Sequence, residues 1–117
     1  MPSVYLLQLA TGKRLESPET ADIVAALQLL LRNPHDERFA LMLRPGGGEQ
    51  DYMQAAGEPT GGWVLEYRDG SPNQHFQSID DALPLERVAA AFYSYGNGDP
   101  SWQQAFEWRR LPFSSDE

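Results

Sequence analysis

Hydrophobic and polar residues alternate along the middle of the chain. In the segment GWVLEYRD (62–69), Trp, Leu and Tyr take the odd positions, whereas Glu66 and Arg68 take even ones. Because successive side chains of a β-strand point to opposite faces of the sheet, this period of two predicts a half-buried strand. The segments ERFALMLR (37–44) and DYMQAAG (51–57) have the same period and predict two further strands.

A turn follows the first of these segments. The residues DGSPN (69–73) include Asp and Gly, which tolerate left-handed dihedral angles, and a Pro, which fixes one φ angle. They predict a hairpin with the short strand QHFQS (74–78). In that strand Phe76 lies on one face, and His75 and Gln77 lie on the other.

Residues 18–32 have the spacing of an amphipathic helix. Ser17 is expected to cap this helix, with Pro18 at its first position, and Asn33 followed by a proline ends it. The apolar residues that recur at helical spacing are Ile23, Leu27, Leu30 and Leu31.

Residues 84–96 predict a second helix. Ser78 or Asp81 is expected to cap it, and Gly96 and Gly98 are expected to end it. The apolar stripe of this helix consists of Leu85, Val88, Ala89, Phe92 and Tyr95.

With a strand at each end, in SVYLLQLA (3–10) and FEWRRL (106–111), the order of elements is β-α-β-β-β-β-α-β. This order predicts an α+β fold, an antiparallel β-meander sheet of five to six strands with two amphipathic helices packed on one face. Polar alternate positions indicate that the other face is partly open. Residues 1–113 are expected to form a single domain and residues 114–117 a polar C-terminal tail.

Composition narrows the possible functions. The 117 residues include no cysteine, which excludes disulfides, thiolate metal sites and cysteine nucleophiles. Seventeen acidic residues against nine Lys and Arg give a formal charge of −8, which disfavours direct nucleic-acid binding and attracts basic partners. The sequence begins without a secretory signal and contains no membrane-spanning run, so the expected location is the cytoplasm, with no membrane contact.

His75 is the first candidate for chemistry. A general base needs a group to orient it, and Glu66 or Asp69 would serve across the hairpin. No nucleophile motif surrounds it, however, and the pattern is also that of a hairpin-pairing histidine. The sequence therefore predicts no catalytic residue, and it predicts no cofactor. It also predicts no metal, because His75 is far from the cluster His35-Asp36-Glu37 and the spacing matches no metal motif.

Aromatic residues are more numerous than one small core requires. For any single one of them a core position is favoured, but the set as a whole is expected to place some on a recognition surface, since Trp and Tyr dominate binding hot spots. The residues concerned are Tyr52, Trp63, Tyr93, Tyr95, Trp102 and Trp108.

Two stretches, YMQAAGEPTGGWVLEYRDGSPNQHFQS and VAAAFYSYGNGDPSWQQAFEWRRL, resemble a type of small acidic bacterial domain encoded beside polymorphic or contact-dependent toxins. The matching features are the Gln-containing strand, LEYRDG, the HF strand, and a helix ending in GD..W before FEW. The resemblance covers residues 50–111. It implies a cytoplasmic immunity protein that binds one cognate toxin domain and has no chemistry of its own.

Three classes of function follow from these patterns. The first is a non-catalytic immunity or inhibitor protein that occludes a cognate protein partner such as a basic toxin domain. The second is a small hydrolase-like enzyme that uses His75 with a carboxylate. The third is a homodimeric structural or regulatory module that pairs through its open sheet face. The residues expected to bind a partner are Tyr52, Gln54, Glu66, Arg68, Asp69, His75 and Gln77.

Overall fold

A computed structural model describes residues 5–31, 39–43, 51–57, 62–70 and 74–111. Within these residues the elements are β1 (Leu6–Leu9), β2 (Arg14–Glu16), α1 (Thr20–Leu31), β3 (Phe39–Leu43), β4 (Asp51–Gly57), β5 (Trp63–Asp69), β6 (His75–Ser78), α2 (Leu85–Gly96), α3 (Ser101–Ala105) and β7 (Trp108–Arg110). The predicted cluster at residues 35–37 and the glycine-rich turn at residues 45–50 lie outside the described residues.

All the described strands form one antiparallel sheet in the order β2-β1-β3-β4-β5-β6-β7. From β3 to β7 the order follows the chain, which confirms the predicted meander and the α+β class. The sheet has seven strands rather than the five or six expected. The additional strand is β2, whose three residues include Arg14 and Glu16 and are too few to show an alternating pattern.

The core lies between one face of this sheet and the helices. Trp63 and Leu65 are fully buried on that face, as the alternation in β5 predicts, and Phe92 of α2 is fully buried against it. Helix α1 supplies Ile23, Leu27 and Leu30 to the same core, so both predicted helices cover one face of the sheet.

Neither helix begins with the cap that the sequence predicts. Ser17 has a positive φ of 46° and lies before the helix, and the N–H of Glu19 bonds to the side chain of Asp22 at 3.0 Å. Helix α2 follows Pro84, and no side chain caps it. Asp81 lies in the exposed loop before this helix. The hydroxyl of Ser78 makes its hydrogen bonds to Leu65 and Asp80 instead of to the helix.

Ser78 joins two neighbouring strands from within the core. Its hydroxyl accepts a hydrogen bond from the N–H of Leu65 at 3.1 Å and donates to the carbonyl of Asp80 at 2.9 Å. The residue is 1% exposed. The hydroxyl thus satisfies a backbone N–H that water cannot reach.

We expect Ser78→Ala to lower the free energy of unfolding by about 1–3 kcal/mol, because the N–H of Leu65 is left buried without an acceptor. Chemical denaturation of the purified variant measures this loss. The matched control is Ser101→Ala, since the hydroxyl of Ser101 is exposed and bonds to the hydroxyl of Ser94. Equal stability of the two variants would contradict the assignment.

An aromatic cluster packs α3 and β7 against the sheet. Trp102 of α3 and Trp108 of β7 both contact the ring of Tyr67, with centroid distances of 4.7 and 4.8 Å. Phe76 stacks on the same ring at 4.9 Å, and Tyr95 meets Trp102 at 5.5 Å. The tryptophans of the motifs GD..W and FEW therefore have a structural role in this chain. The short helix α3, which begins within the first motif and ends just before the second, was not predicted from the sequence.

Candidate functional site

The helices leave one face of the sheet uncovered along β4, β5 and β6. Side chains that alternate with the buried ones reach this surface, as the period of two requires. They are half-buried, since neighbouring side chains in the sheet cover part of each of them. The polar and aromatic ones from the three strands are Tyr52, Gln54, Glu66, Arg68, His75 and Gln77, and together they form the open-face group. Ala56 and Val64 lie on the same side, and Val64 is 9% exposed.

The register of the strands arranges the open-face group in two rows. Arg68 lies directly opposite Tyr52 on one side and His75 on the other. Glu66 likewise lies between Gln54 and Gln77, which completes the second row. Six of the seven residues predicted to bind a partner therefore share one continuous surface.

Hydrogen bonds to His75 connect the two rows. The Nε2 atom of His75 lies 2.8 Å from Oε1 of Glu66, and the Nε atom of Arg68 donates to Nδ1 of His75 at 3.4 Å. A guanidinium nitrogen can only donate, so Nδ1 accepts from Arg68, and Nε2 is the ring atom that faces the carboxylate of Glu66. The side chains of His75 and Glu66 are 17% and 25% exposed, which leaves the pair accessible at its edge.

Tyr52 lies at the end of the row that it forms with Arg68 and His75. The guanidinium carbon of Arg68 lies 5.7 Å from the centre of its ring. Burial raises the pKa of the Tyr52 phenol above its ordinary value of 10.0, the charge of Arg68 lowers this pKa, and the charge of Glu66 raises it. The hydroxyl is therefore protonated at neutral pH and available to hydrogen-bond a ligand.

We expect Arg68→Ala to raise the pKa of Tyr52 further, since the nearby positive charge is removed. Ultraviolet titration of the tyrosines measures the change, with Tyr52→Phe identifying the transition and Arg87→Ala as the control, because Arg87 contacts Phe106 instead. A downward shift in Arg68→Ala would contradict the predicted effect.

The raised pKa of Tyr52 also makes the free energy of unfolding depend on pH. In the unfolded chain Tyr52 ionises near its ordinary pKa of 10.0, before the folded chain does. Its contribution to the free energy of unfolding is therefore fully present below pH 10.0 and is lost as the pH rises through the raised pKa of the folded state.

Asp69 is the member of the predicted set that the structure places elsewhere. It is exposed at the end of β5, at a position that alternates with Glu66 and Arg68 and so belongs to the helix side of the sheet. Its N–H bonds to the carbonyl of Gln74 and closes the hairpin. Of the two acids considered as partners of His75, Glu66 makes the contact.

The open surface carries a nearly balanced charge. Glu66 lies beside Arg68, and Arg109 of β7 lies opposite Gln77 on the same face. Exposed acidic residues are concentrated at the helix starts and in the loops, at Glu19, Asp22, Asp80, Asp81, Glu86, Asp99 and Glu107. The acidic residues of the described ranges therefore lie mostly outside the open-face group.

Three clefts lie away from the pair of His75 and Glu66. One of about 450 Å³ lies between β2 and α1, and another of about 450 Å³ lies between the start of the loop after β6 and the segment 104–107. The third, of about 200 Å³, lies between α2 and α3. None of the three is lined by His75 or Glu66, so the pair lies on an open surface rather than within these clefts.

Metal ligands do not cluster in the described part of the chain. No group of three or more His, Asp or Glu side chains there is arranged to hold an ion.

The hydrogen-bonded pair of His75 and Glu66 has the atoms of a general base and its orienting acid, but a substrate would be exposed to water on this surface.

An apolar surface continues the open face on the side of β3 and β1. Leu41 lies directly opposite Gln54, and Leu6 lies opposite Leu43. Phe39 at the end of β3 is 46% exposed. Phe39, Leu41 and Leu43 share this face. Ala40 and Met42 make the other face of β3 apolar too, so the alternation does not indicate which face is open.

Comparisons of the chain with protein-family models, with curated proteins and with solved structures find no match. In the described ranges, none of the helices has the length and apolar character that crossing a membrane requires.

Proposed function

We propose that the chain is a non-catalytic bacterial protein-binding domain, an immunity protein that occludes a cognate toxin domain with the open face of its sheet. The observation that carries the proposal is the pair of rows formed by the open-face group. The resemblance of residues 50–111 to toxin-associated immunity domains gives the class of partner.

The chemistry of this surface suits recognition of a protein. Tyr52 supplies a large side chain with a hydroxyl, and Gln54 and Gln77 supply amide donors and acceptors on either side of Glu66. Leu41 extends the surface with apolar area. A polar and aromatic patch beside an apolar one has the composition of a protein–protein interface.

The pairing of His75 with Glu66 also favours its use in binding. Both ring nitrogens are engaged, one by Arg68 and one by Glu66, so the ring is held in one orientation. A pre-oriented side chain loses little conformational entropy when a partner binds. The same pair is the one observation that favours the hydrolase-like alternative, in which Glu66 would orient His75 as a general base.

We expect Tyr52→Ala to weaken binding to the cognate partner by about 1–2 kcal/mol or more, as loss of an aromatic interface residue does. The partner to test is the protein encoded by the neighbouring open reading frame, and isothermal titration calorimetry measures the affinity. Tyr93→Ala is the matched control, because Tyr93 is 38% exposed on α2, away from the open face. Equal affinity of the two variants would remove the open face from the proposal.

A second experiment separates the inhibitor from the enzyme. His75→Ala should retain the fold and lose at most about 1–2 kcal/mol of binding, the loss expected from one interface contact. The inhibitor proposal predicts no turnover of ester, amide or phosphoester substrates by the wild type or by the variant. Turnover that disappears in both His75→Ala and Glu66→Gln would support the enzyme and contradict the inhibitor.

The excess of acidic residues in the chain is expected to accelerate association. A net charge of −8 attracts a basic domain over a long range, even though the contact surface is balanced. Raising the salt concentration should therefore slow association more than it speeds dissociation, since steering is screened over about 8–10 Å at physiological ionic strength. Stopped-flow kinetics at low and high salt measure both rates, and a salt-independent association rate would contradict steering.

A further inference from the structure

The strand β2 forms one edge of the sheet. It pairs with β1 through Leu7 and Leu15, and no other described residue pairs with its outer side. A free strand edge offers unpaired N–H and C=O groups to another chain.

The hydrogen bonds between β1 and β2 identify the groups that point outward. The N–H of Leu9 bonds to the carbonyl of Lys13 at 2.9 Å, and the N–H of Ser17 bonds to the carbonyl of Tyr5 at 2.7 Å. In an antiparallel pair, hydrogen-bonded positions alternate with non-bonded ones. Leu15, midway between Lys13 and Ser17, is therefore a bonded position.

The two neighbours of Leu15 in β2 consequently direct their backbone groups away from the sheet. These neighbours are Arg14 and Glu16, so each presents one N–H and one C=O at the edge. Their side chains lie on the face opposite the helices, because Arg14 faces Gln8 and Glu16 faces Leu6. The side chain of Leu15 lies on the helix side, packed against the core.

We propose that the partner of this edge is a second copy of the chain, paired antiparallel through β2 about a two-fold axis at Leu15. Arg14 of each copy then lies opposite Glu16 of the other. The backbone groups that point outward meet in the same register, because the opposed residues are the two that present them. Each pair of opposed residues exchanges two backbone hydrogen bonds and places opposite charges side by side.

Other registers are less favourable for the same strand. Sliding the partner strand by two residues in one direction places Arg14 opposite Arg14 of the other copy. Sliding it by two residues in the other direction places Glu16 opposite Glu16. Like charges directly opposite each other destabilise an antiparallel pair. The second shift also brings Pro18, which has no N–H, opposite Arg14. The sequence Arg-Leu-Glu is thus self-complementary in one register.

A cleft beside the edge completes the complementary surface. It has a volume of about 450 Å³, and its walls include Leu15 of β2 and Ala25 and Leu29 of α1. Leu29 is 54% exposed. A two-fold axis perpendicular to the sheet places both helices α1 on the same side of the joined sheet, with the two clefts open towards each other. Dimerisation then covers apolar surface that the single chain leaves in water.

Short, charged edge strands commonly guard a sheet against association. In β2 the two charges have opposite signs, and the two-fold register places each charge beside the opposite charge of the other copy. This dimer uses a different surface from the open-face group of β4, β5 and β6, so it extends the proposed function without depending on it. Each dimer would carry two copies of the open-face group.

Charge reversal at the edge tests the proposal. Sedimentation velocity over a series of concentrations should show a concentration-dependent dimer of the wild type. Arg14→Glu and Glu16→Arg should each raise the dimer dissociation constant about tenfold or more, since two attractive pairs become repulsive. The double variant, Arg14→Glu with Glu16→Arg, should restore the wild-type constant because it exchanges the two charges.

Mixing the two single variants gives a stricter test. A chain with two acids at the edge pairs with a chain with two bases, so the mixture should form heterodimers although neither variant dimerises well alone. Arg109→Glu on β7, at the other edge of the sheet, is the control and should leave the dimer unchanged. Circular dichroism verifies that each variant is folded. A monomeric wild type at all concentrations, or a double variant as weak as the single ones, would overturn the proposal.

Discussion

Phe92→Ala is expected to lower the free energy of unfolding by about 3–5 kcal/mol, which combines lost hydrophobic transfer with an unfilled cavity. Phe92 is fully buried, on the face of α2 that covers the sheet. Its neighbours Val88 and Ala89 on the same stripe are also fully buried, so little freedom remains for the helix to close the gap. Denaturant unfolding, monitored by tryptophan fluorescence, measures the loss.

Tyr93→Ala is the matched control, since it removes an aromatic side chain of similar size from the next position of the helix. Tyr93 is 38% exposed and makes one edge contact with Tyr5. The loss for this variant should stay near or below about 1 kcal/mol, as is usual for surface positions. A Phe92→Ala variant as stable as Tyr93→Ala would show that α2 presents a different face to the sheet.

Trp102→Ala should have an effect of similar size, about 3–5 kcal/mol. Trp102 is 4% exposed and contacts Tyr67, Tyr95 and Trp108 within the aromatic cluster. The substitution removes the side chain that joins α3 to the sheet. We therefore expect β7 to exchange its amide protons faster, since loss of packing lowers local stability as well as global stability.

Gln104→Ala is the control for Trp102→Ala, because Gln104 is an exposed residue of the same short helix. Hydrogen exchange should leave β7 as well protected in Gln104→Ala as in the wild type. Wild-type protection of β7 in Trp102→Ala would contradict the role of the tryptophan as an anchor.

The alternation of side chains predicted the central strands of the fold. In β5 the contrast between Trp63 and Glu66 is strong, and the two faces are those expected except at Val64, which alternates with Trp63 and Leu65 but is only 9% exposed. Two short elements were not predicted, because neither has an apolar pattern that stands out from the adjoining turn residues. Strand β2, with two charges in three residues, and helix α3, which follows Pro100, are the examples.

The predicted N-caps of the two helices were wrong for a different reason. A serine before a proline has the composition of a cap, but Ser17 instead bonds through its N–H to the carbonyl of Tyr5, as part of the β1–β2 hairpin. Ser78 is a strand residue whose hydroxyl serves Leu65. Each of these residues has a tertiary partner that local sequence does not reveal.

The candidate site follows from the same alternation, up to the point where three strands must be aligned. The sequence places Glu66 and Arg68 on one face, and His75 and Gln77 on another strand. Only the register determines that His75 reaches Glu66. The position of Asp69 on the helix side, in contrast, follows from the alternation along β5. Which face of β3 is open depends on the position of the helices, and neither face of that strand is polar enough to indicate it.

The strand order also constrains how the sheet can assemble while the chain is being synthesised. After β3 has paired with β1, each later strand adds beside the one made just before it, so the ribosome delivers the strands in the order in which the edge grows. Helix α2, which covers the centre of the sheet, emerges only after β6. Until then the buried face of β4 and β5 is exposed to water. The nascent chain is therefore expected to be most prone to chaperone binding between the synthesis of β5 and that of α2.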